Sequence, residues 1–332
     1  MRKLILFLIA ILAVTIPASV IAQNQDDEKL VVGTNLVSVN VSVTDSRGRY
    51  VRGLAKEQFE VLDNKERQQI AHFSSEEAPF SLGIVYDMHP TTPEQTAATL
   101  RALKQFVGTL RQEDDFFLMV FDSRGSVTVD FIPTAEQISN HLTFVRPKGP
   151  AALYDAVFQA GEKVRAAQKA KRALLIISDG EDHNSGHSDK EIRGQVREFN
   201  IQVYGIGVTD LNANPQNGGR RWMLEDITRG TQGRGFLTNT EATFGRAVLE
   251  EMTRVSGGTA YFPDRVDSEQ ELFGVGTQIA LEMRQQYTLG FYPKTLVTDA
   301  KWHKLRVNVK PTTGSGKLSL SYREGYQLPK KW

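Results

Sequence analysis

The sequence predicts an α/β fold: a mostly parallel sheet with helices on both faces, inserted in a discontinuous antiparallel β-sandwich-like module. Three observations carry this expectation. Phe80-Ser-Leu-Gly-Ile-Val-Tyr-Asp87 and Arg172-Ala-Leu-Leu-Ile-Ile-Ser178, the latter followed by Asp179, are apolar runs of strand length that each deliver a carboxylate at the carboxyl end. That is the edge of an open α/β sheet where ligands bind. Between residues 80 and 208 strand-like and helix-like segments alternate, as a parallel sheet with flanking helices requires. The third observation is the strict alternation of Leu36-Val-Ser-Val-Asn-Val-Ser-Val-Thr44, which puts Val37, Val39, Val41 and Val43 on one face of a half-buried strand.

Taken in order, Asp45-Ser-Arg-Gly48 has turn chemistry, and strand-like Tyr50-Val51, Phe59–Leu62 and Gln69–Phe73 follow, with Asp63-Asn64 as a further turn. Residues 34–75 therefore read as an N-terminal β module. An α/β domain is expected over 79–283. Its strands are 80–86, 116–121, 126–132, 172–178 and 201–208, and its helices are 93–110, 134–145, 152–168 and 189–199. Residues 209–245, opening on Asn212-Ala-Asn-Pro-Gln-Asn-Gly-Gly219, read as an insertion beside the sheet edge. Met223–Phe236 is similar to Val248–Tyr261, each a helix turn, a glycine stop and an aromatic strand start. Strand segments return over 284–328, at 287–292, 305–310 and 318–322. Too short to stand alone, they are expected to pair with the N-terminal module.

Arg2-Lys3 precede the apolar run Leu4–Ile16, and Pro17–Ala22 offers small residues. Residues 1–22 read as a secretory signal peptide and 23–33 as a flexible leader, the alternative being an N-terminal membrane anchor. The expected location is therefore periplasmic or extracellular, with no membrane span after cleavage. Cleavage removes two of the 40 basic residues and none of the 39 acidic ones, taking the formal charge from +1 to −1. No basic stripe points to nucleic acid. With no cysteine in the chain, disulfides and thiolate metal sites are excluded, and the core alone must hold the fold.

The ordered set Asp87, His89, Thr91, Ala151 and Asp179 resembles the metal-ion-dependent adhesion site of von Willebrand factor A domains, where the slots read Asp-x-Ser-x-Ser, a distant Thr, and Asp. Two further blocks match bacterial A-domain-related proteins abundant in acidobacteria. One is Val43-Thr-Asp45-x-x-Gly48 with Leu54-x-x-x-x-Phe59-x-Val61-x-Asp63. The other is Tyr287-Thr-Leu-Gly-Phe-Tyr-Pro293 with Trp302–Val307 and Arg323-Glu-Gly-Tyr326. The resemblance covers 34–208 and 246–326, and it implies a Rossmann-like A domain with a binding role and no catalytic chemistry. It also implies Asp87, Thr91 and Asp179 as the surviving metal positions, with His89 and Ala151 replacing hydroxyl ligands. No tightly bound cofactor is expected, and Mg²⁺ or Mn²⁺ at most weakly, because magnesium demands near-octahedral oxygen geometry. His89 is expected to hydrogen-bond Asp87 or Asp179.

His183 and His187 stand at i, i+4, but the intervening Asn184-Ser-Gly186 argues for a loop rather than a zinc-binding helix, and Ser188 or Asp189 is expected to cap the helix that follows. No Gly-x-Ser-x-Gly or His-Glu-x-x-His occurs, and Gly314-Ser-Gly-Lys317 lacks the first glycine and the final hydroxyl of a phosphate loop. The expectation is a non-enzymatic module that binds a protein partner through Asp87, His89, Thr91, Asp179, Asp182 and His183. The alternative is a structural envelope scaffold with a dead site, and a metal-dependent hydrolase ranks last.

Overall fold

The computed structural model describes residues 36–88, 93–122, 125–129, 152–208, 240–265, 267–294, 301–310 and 316–327. The leader, with its signal-peptide reading, and the helix expected at 134–145 lie outside them. Among the described residues no helix is long and apolar enough to cross a membrane.

The N-terminal strands are β1 (Val37–Thr44), β2 (Phe59–Asp63), β3 (Glu66–Gln68) and β4 (Ile70–Ser74). The C-terminal ones are β11 (Tyr287–Phe291), β12 (Trp302–Val309), β13 (Ser319–Ser321) and β14 (Gly325–Gln327). They interleave in two four-stranded sheets, ordered β13-β1-β11-β4 and β14-β12-β2-β3. Val39 sits opposite Leu289 and Val61 opposite Val307, both in antiparallel pairs. The alternation of β1 is used as its sequence implies: Val37, Val39, Val41 and Val43 are buried. They share one core with Val61, Leu289, Phe291, Val307 and Tyr326, so the two sheets pack face to face.

Between these halves run β5 (Phe80–Asp87), α1 (Pro93–Gly108), β6 (Asp115–Asp122), β7 (Gly125–Val129), α2 (Leu153–Arg165), β8 (Lys171–Ser178), α3 (Asp189–Phe199), β9 (Gln202–Gly207), α4 (Thr240–Ser256), β10 (Ala260–Tyr261) and α5 (Glu269–Gln285). The strands form one sheet, β10-β9-β8-β5-β6-β7, parallel except for the edge strand β7. All eight residues of β5 are buried because both faces are covered. Leu82, Ile84 and Tyr86 pack with α1 and α5 through Phe106, Ile279 and Met283. Val85 packs on the other face with Val157, Phe199, Leu249 and Met252 of α2, α3 and α4. Strand order reverses between β5 and β8, which makes their carboxyl ends the crevice of the sheet.

The insertion expected over 209–245 needs a correction at its end. Residues 209–239 lie outside the described residues, but Thr240 already belongs to α4, and Gly245 in its second turn is buried against the sheet edge. Val248 and Leu249 in the same helix are core residues, whereas Phe244 is 56% exposed.

A buried carboxylate joins the sandwich to the α/β domain. Glu282 of α5 is 3% exposed. Its Oε1 accepts from Ser42 Oγ of β1 at 2.9 Å, and its Oε2 accepts from the Tyr50 hydroxyl at 3.2 Å. Gln286 Nε2 donates to Ser42 Oγ and to the Tyr204 hydroxyl. Burial pushes the Glu282 carboxyl above its ordinary range, opposed by hydrogen bonds from Ser42, Tyr50 and Tyr204. Above the unfolded pKa of glutamate, and up to the raised folded one, the native chain holds a proton that the unfolded chain has released. Stability contributed by this group therefore falls as pH rises through that window, by about 1.4 kcal/mol per pH unit at most. Urea midpoints measured from pH 4.5 upward should show this slope in the wild type relative to Glu282→Gln. Parallel profiles would refute the assignment.

Candidate functional site at the carboxyl edge of the sheet

Asp87 closes β5 and is fully buried. Tyr86 lies opposite Ile177, so Asp87 and Ser178 occupy the next register position. Ser178 Oγ donates to Asp87 Oδ2 at 2.9 Å and accepts the Gly180 N–H at 3.0 Å. Because the amide fills the acceptor side, the hydroxyl proton is directed to the carboxylate. Asp179 is 9% exposed, and its Oδ1 accepts the Glu181 N–H at 2.9 Å in an Asx turn. Gly180 carries φ +82°, and a Cβ there would come within 2.1 Å of the Gly245 carbonyl oxygen. A Cβ on Gly245 would fall 2.3 Å from the Asp179 oxygen. Two glycines thus let the N-terminal part of α4 press directly on the peptide that presents Asp179.

The 182–188 loop is tied to the start of α2. The N-cap Ala152 has no side-chain oxygen to offer. Asp182 Oδ1 instead accepts the Tyr154 N–H at 3.1 Å, and Ser185 Oγ accepts the Asp155 N–H at 3.1 Å while donating to Asp182. These bonds satisfy two of the amides that a helix start leaves open. Asp155 reciprocates, accepting the amides of Gly186 and His187 at 3.0 and 3.1 Å and meeting His187 Nδ1 at 2.6 Å. Burial raises the Asp155 pKa, but these bonds outweigh it and leave the carboxyl below its ordinary value. The stability it lends is present above the unfolded pKa and lost on acidification. The His187 ring stacks on Phe158 at 4.6 Å. Ser188 caps α3 in a capping box with Glu191.

Of the residues expected at this edge, the structure brings together Asp87 and Asp179 on adjacent strand ends, with Asp182 and His183 on the loop that follows. His89, Thr91 and Ala151 lie outside the described residues. Two placements change the roles expected from sequence. Asp87 is buried, so it supports the edge from beneath and does not face a partner. The Asp182 carboxylate is engaged in capping α2. His183 is exposed, its Nε2 lying 3.4 Å from Glu181 Oε2, whereas His187 faces Asp155; the two rings have different partners. Ser178 and Gly245 escaped the sequence reading. A serine closing a strand in register with an Asp-ended neighbour was the available signal for Ser178. Gly245 had none, since its contact is purely tertiary.

A hard divalent ion in this crevice would need about six oxygen donors. The described donors are two carboxylates, each already accepting at least one hydrogen bond, and a serine whose Oγ already accepts the Gly180 N–H. Among the described residues no cluster of three or more His, Asp or Glu could hold a metal. These residues by themselves do not fit a magnesium shell.

Five parallel strands with an antiparallel edge, helices on both faces and the reversal between two Asp-ended strands define a Rossmann-like α/β domain. No family model matches the chain, and no curated protein matches it in sequence. Solved structures similar to it include an aerotolerance-related membrane protein from Bacteroides fragilis NCTC 9343, with a TM-score of 0.42 and 16% identity over 61% of this chain and 98% of that one. The pilus adhesin SpaC from Lactobacillus rhamnosus GG gives 0.46 and 11% over 84% of this chain and 49% of the adhesin. The vWF domain of the type V pili tip protein Mfa5 from Porphyromonas gingivalis gives 0.29 and 14%, covering 32% of this chain and 39% of that one.

Proposed function

We propose that the chain is an exported, non-enzymatic protein-binding module that engages its partner through the carboxyl edge of the parallel sheet. The observation that carries this reading is the clamped 182–188 loop. Two of its side chains cap α2 and its backbone is held by Asp155, so exposed His183 and Asn184 are presented from a fixed frame at the crevice. Ordering such a surface before binding lowers the entropy cost of association. Ser178, the hydroxyl hydrogen-bonded to the buried carboxylate, is itself fully buried and serves as a brace, not a nucleophile. Residual Mg²⁺ or Mn²⁺ binding is weak, and direct polar contacts replace a bridging metal.

A second reading, a scaffold that makes its contacts through the β-sandwich, is favoured by one observation. Leu36 and Tyr292 are 44% and 46% exposed at the paired ends of β1 and β11. Capture from an envelope extract separates the two. The sheet-edge reading expects a partner retained in EDTA and lost with His183→Ala/Asn184→Ala. Loss with Leu36→Ser/Tyr292→Ser instead would establish the scaffold. On the metal, millimolar Mg²⁺ should stabilise the wild type by less than about 0.1 kcal/mol if its Kd is well above that concentration. His89→Ser/Ala151→Thr should gain a metal-dependent rise in melting temperature. Micromolar Mg²⁺ affinity in the unmodified protein, read by calorimetry, would overturn the weak-metal reading.

A further inference from the structure

At the opposite end of the sheet, where β8 and β9 begin, a small recess opens between the sandwich and the α/β domain. We propose that it is a binding site for a small oxyanion, a phosphate or carboxylate group, gripped by Arg323 and Arg172. Arg323 lies between β13 and β14 and is 8% exposed. Its Nη2 donates to the Ser38 carbonyl at 2.6 Å and its guanidinium stands 5.7 Å from the Tyr326 ring centre, but its Nε and Nη1 are buried with no hydrogen-bond partner. Arg172, the second residue of β8, donates Nη1 to the Arg165 carbonyl at 2.6 Å, and its Nε is likewise buried and unpartnered. Among the described residues neither guanidinium has a carboxylate partner, and none that lines the recess is acidic.

Leaving three guanidinium nitrogens, with four N–H groups between them, without acceptors costs about 1–3 kcal/mol for each unsatisfied group, more when charged. A ligand that supplies acceptors relieves that cost, and a guanidinium fork matches an oxyanion geometrically. Burial lowers the Arg323 pKa to about 10, which still leaves it charged at neutral pH. The helix ends at Asn200 and Ser256 oppose an anion, each by roughly half a negative charge. Two guanidinium charges exceed that sum, so the recess keeps a net positive charge of about one. Exposed Asn200 at the rim adds an amide that can donate.

The test is isothermal titration of the full chain with inorganic phosphate and, separately, with acetate, at an ionic strength fixed by chloride. The expected result is saturable single-site binding of at least one anion, weakened at least about tenfold by Arg172→Gln (about 1.4 kcal/mol) and abolished by Arg323→Gln. Preference for phosphate would identify a phosphate group as the ligand, and preference for acetate a carboxylate; either supports the proposal. If Arg323→Gln fails to fold, partly exposed Arg172 decides alone. Heats that stay linear with both anions, or binding untouched by Arg172→Gln, would overturn it, leaving a recess that holds only water.

Discussion

Asp114→Ala is expected to cost about 3–5 kcal/mol of folding stability, the loss that follows when one member of a buried ion pair is removed. The Asp114 side chain is fully buried and Arg284 of α5 is only 10% exposed, with Nη2 at 2.5 Å from Oδ2. The same carboxylate accepts the Phe80 N–H at 3.2 Å and the Arg111 N–H at 2.9 Å, so the start of β5 and the turn before β6 hang on it. Alanine would strand a guanidinium that otherwise lies 4.9 Å from the Phe80 ring centre, and would orphan two amides. Urea unfolding should show the midpoint fall at unchanged slope. Adding Arg284→Met to Asp114→Ala should restore part of the loss, since the stranded charge is then gone. A single-variant loss below about 1 kcal/mol would show that solvent replaces the carboxylate.

The second large effect is expected from Gly180→Ala. Its φ of +82° costs a side chain about 1–2 kcal/mol, and the new Cβ would stand 2.1 Å from a backbone oxygen of α4, which cannot swing aside as a flexible side chain could. Overpacking of this kind adds about 1–3 kcal/mol. Gly48→Ala is the control, because it shares the positive φ (+74°) yet has nothing within 4 Å of where its new methyl group would stand. The difference between the two losses isolates the collision. Gly180→Ala should also lose the partner captured by the wild type, since relieving the clash shifts Asp179 or α4. Equal losses in the two variants would mean that α4 yields freely.

Much of this architecture was legible in the chain, for identifiable reasons. The central strands β5 and β8 are covered on both faces, which writes near-continuous apolar runs, and β1 is half-covered, which writes alternation. β12 was harder: expected at 305–310, it runs Trp302–Val309, because exposed Trp302 and Lys304 make its start resemble a loop. β3 reads Glu-Arg-Gln and has no apolar pattern; it exists because Asn64 and Lys65, both at positive φ, turn the chain back onto β2. At the site, the paired carboxylates were visible as strand-ending residues. Their support was not, since the Ser178–Asp87 bond depends on register, and the Asp182 and Ser185 caps on α2 depend on a loop meeting a helix start far away in sequence. Neither leaves a local pattern.

The interleaving of the two β halves has a consequence in time. Both sheet neighbours of β1, β11 and β13, and one neighbour of β2, β12, come from the far end of the chain, so these strands complete their pairing only when the last are finished. At about 5–20 residues per second of synthesis, that wait lasts roughly 10–50 s. Throughout it, β1 with its valine stripe has no neighbour on either side and the β2–β3 hairpin keeps one open edge, the kind of segment that recruits other nascent chains. The α/β domain can assemble meanwhile from contacts of its own, which leaves a half-made molecule with a sound middle and an unfinished shell. Completion of the sandwich is then the slow, concentration-sensitive stage of assembly, governed by when residues 287–327 arrive and not by the stability of what they join.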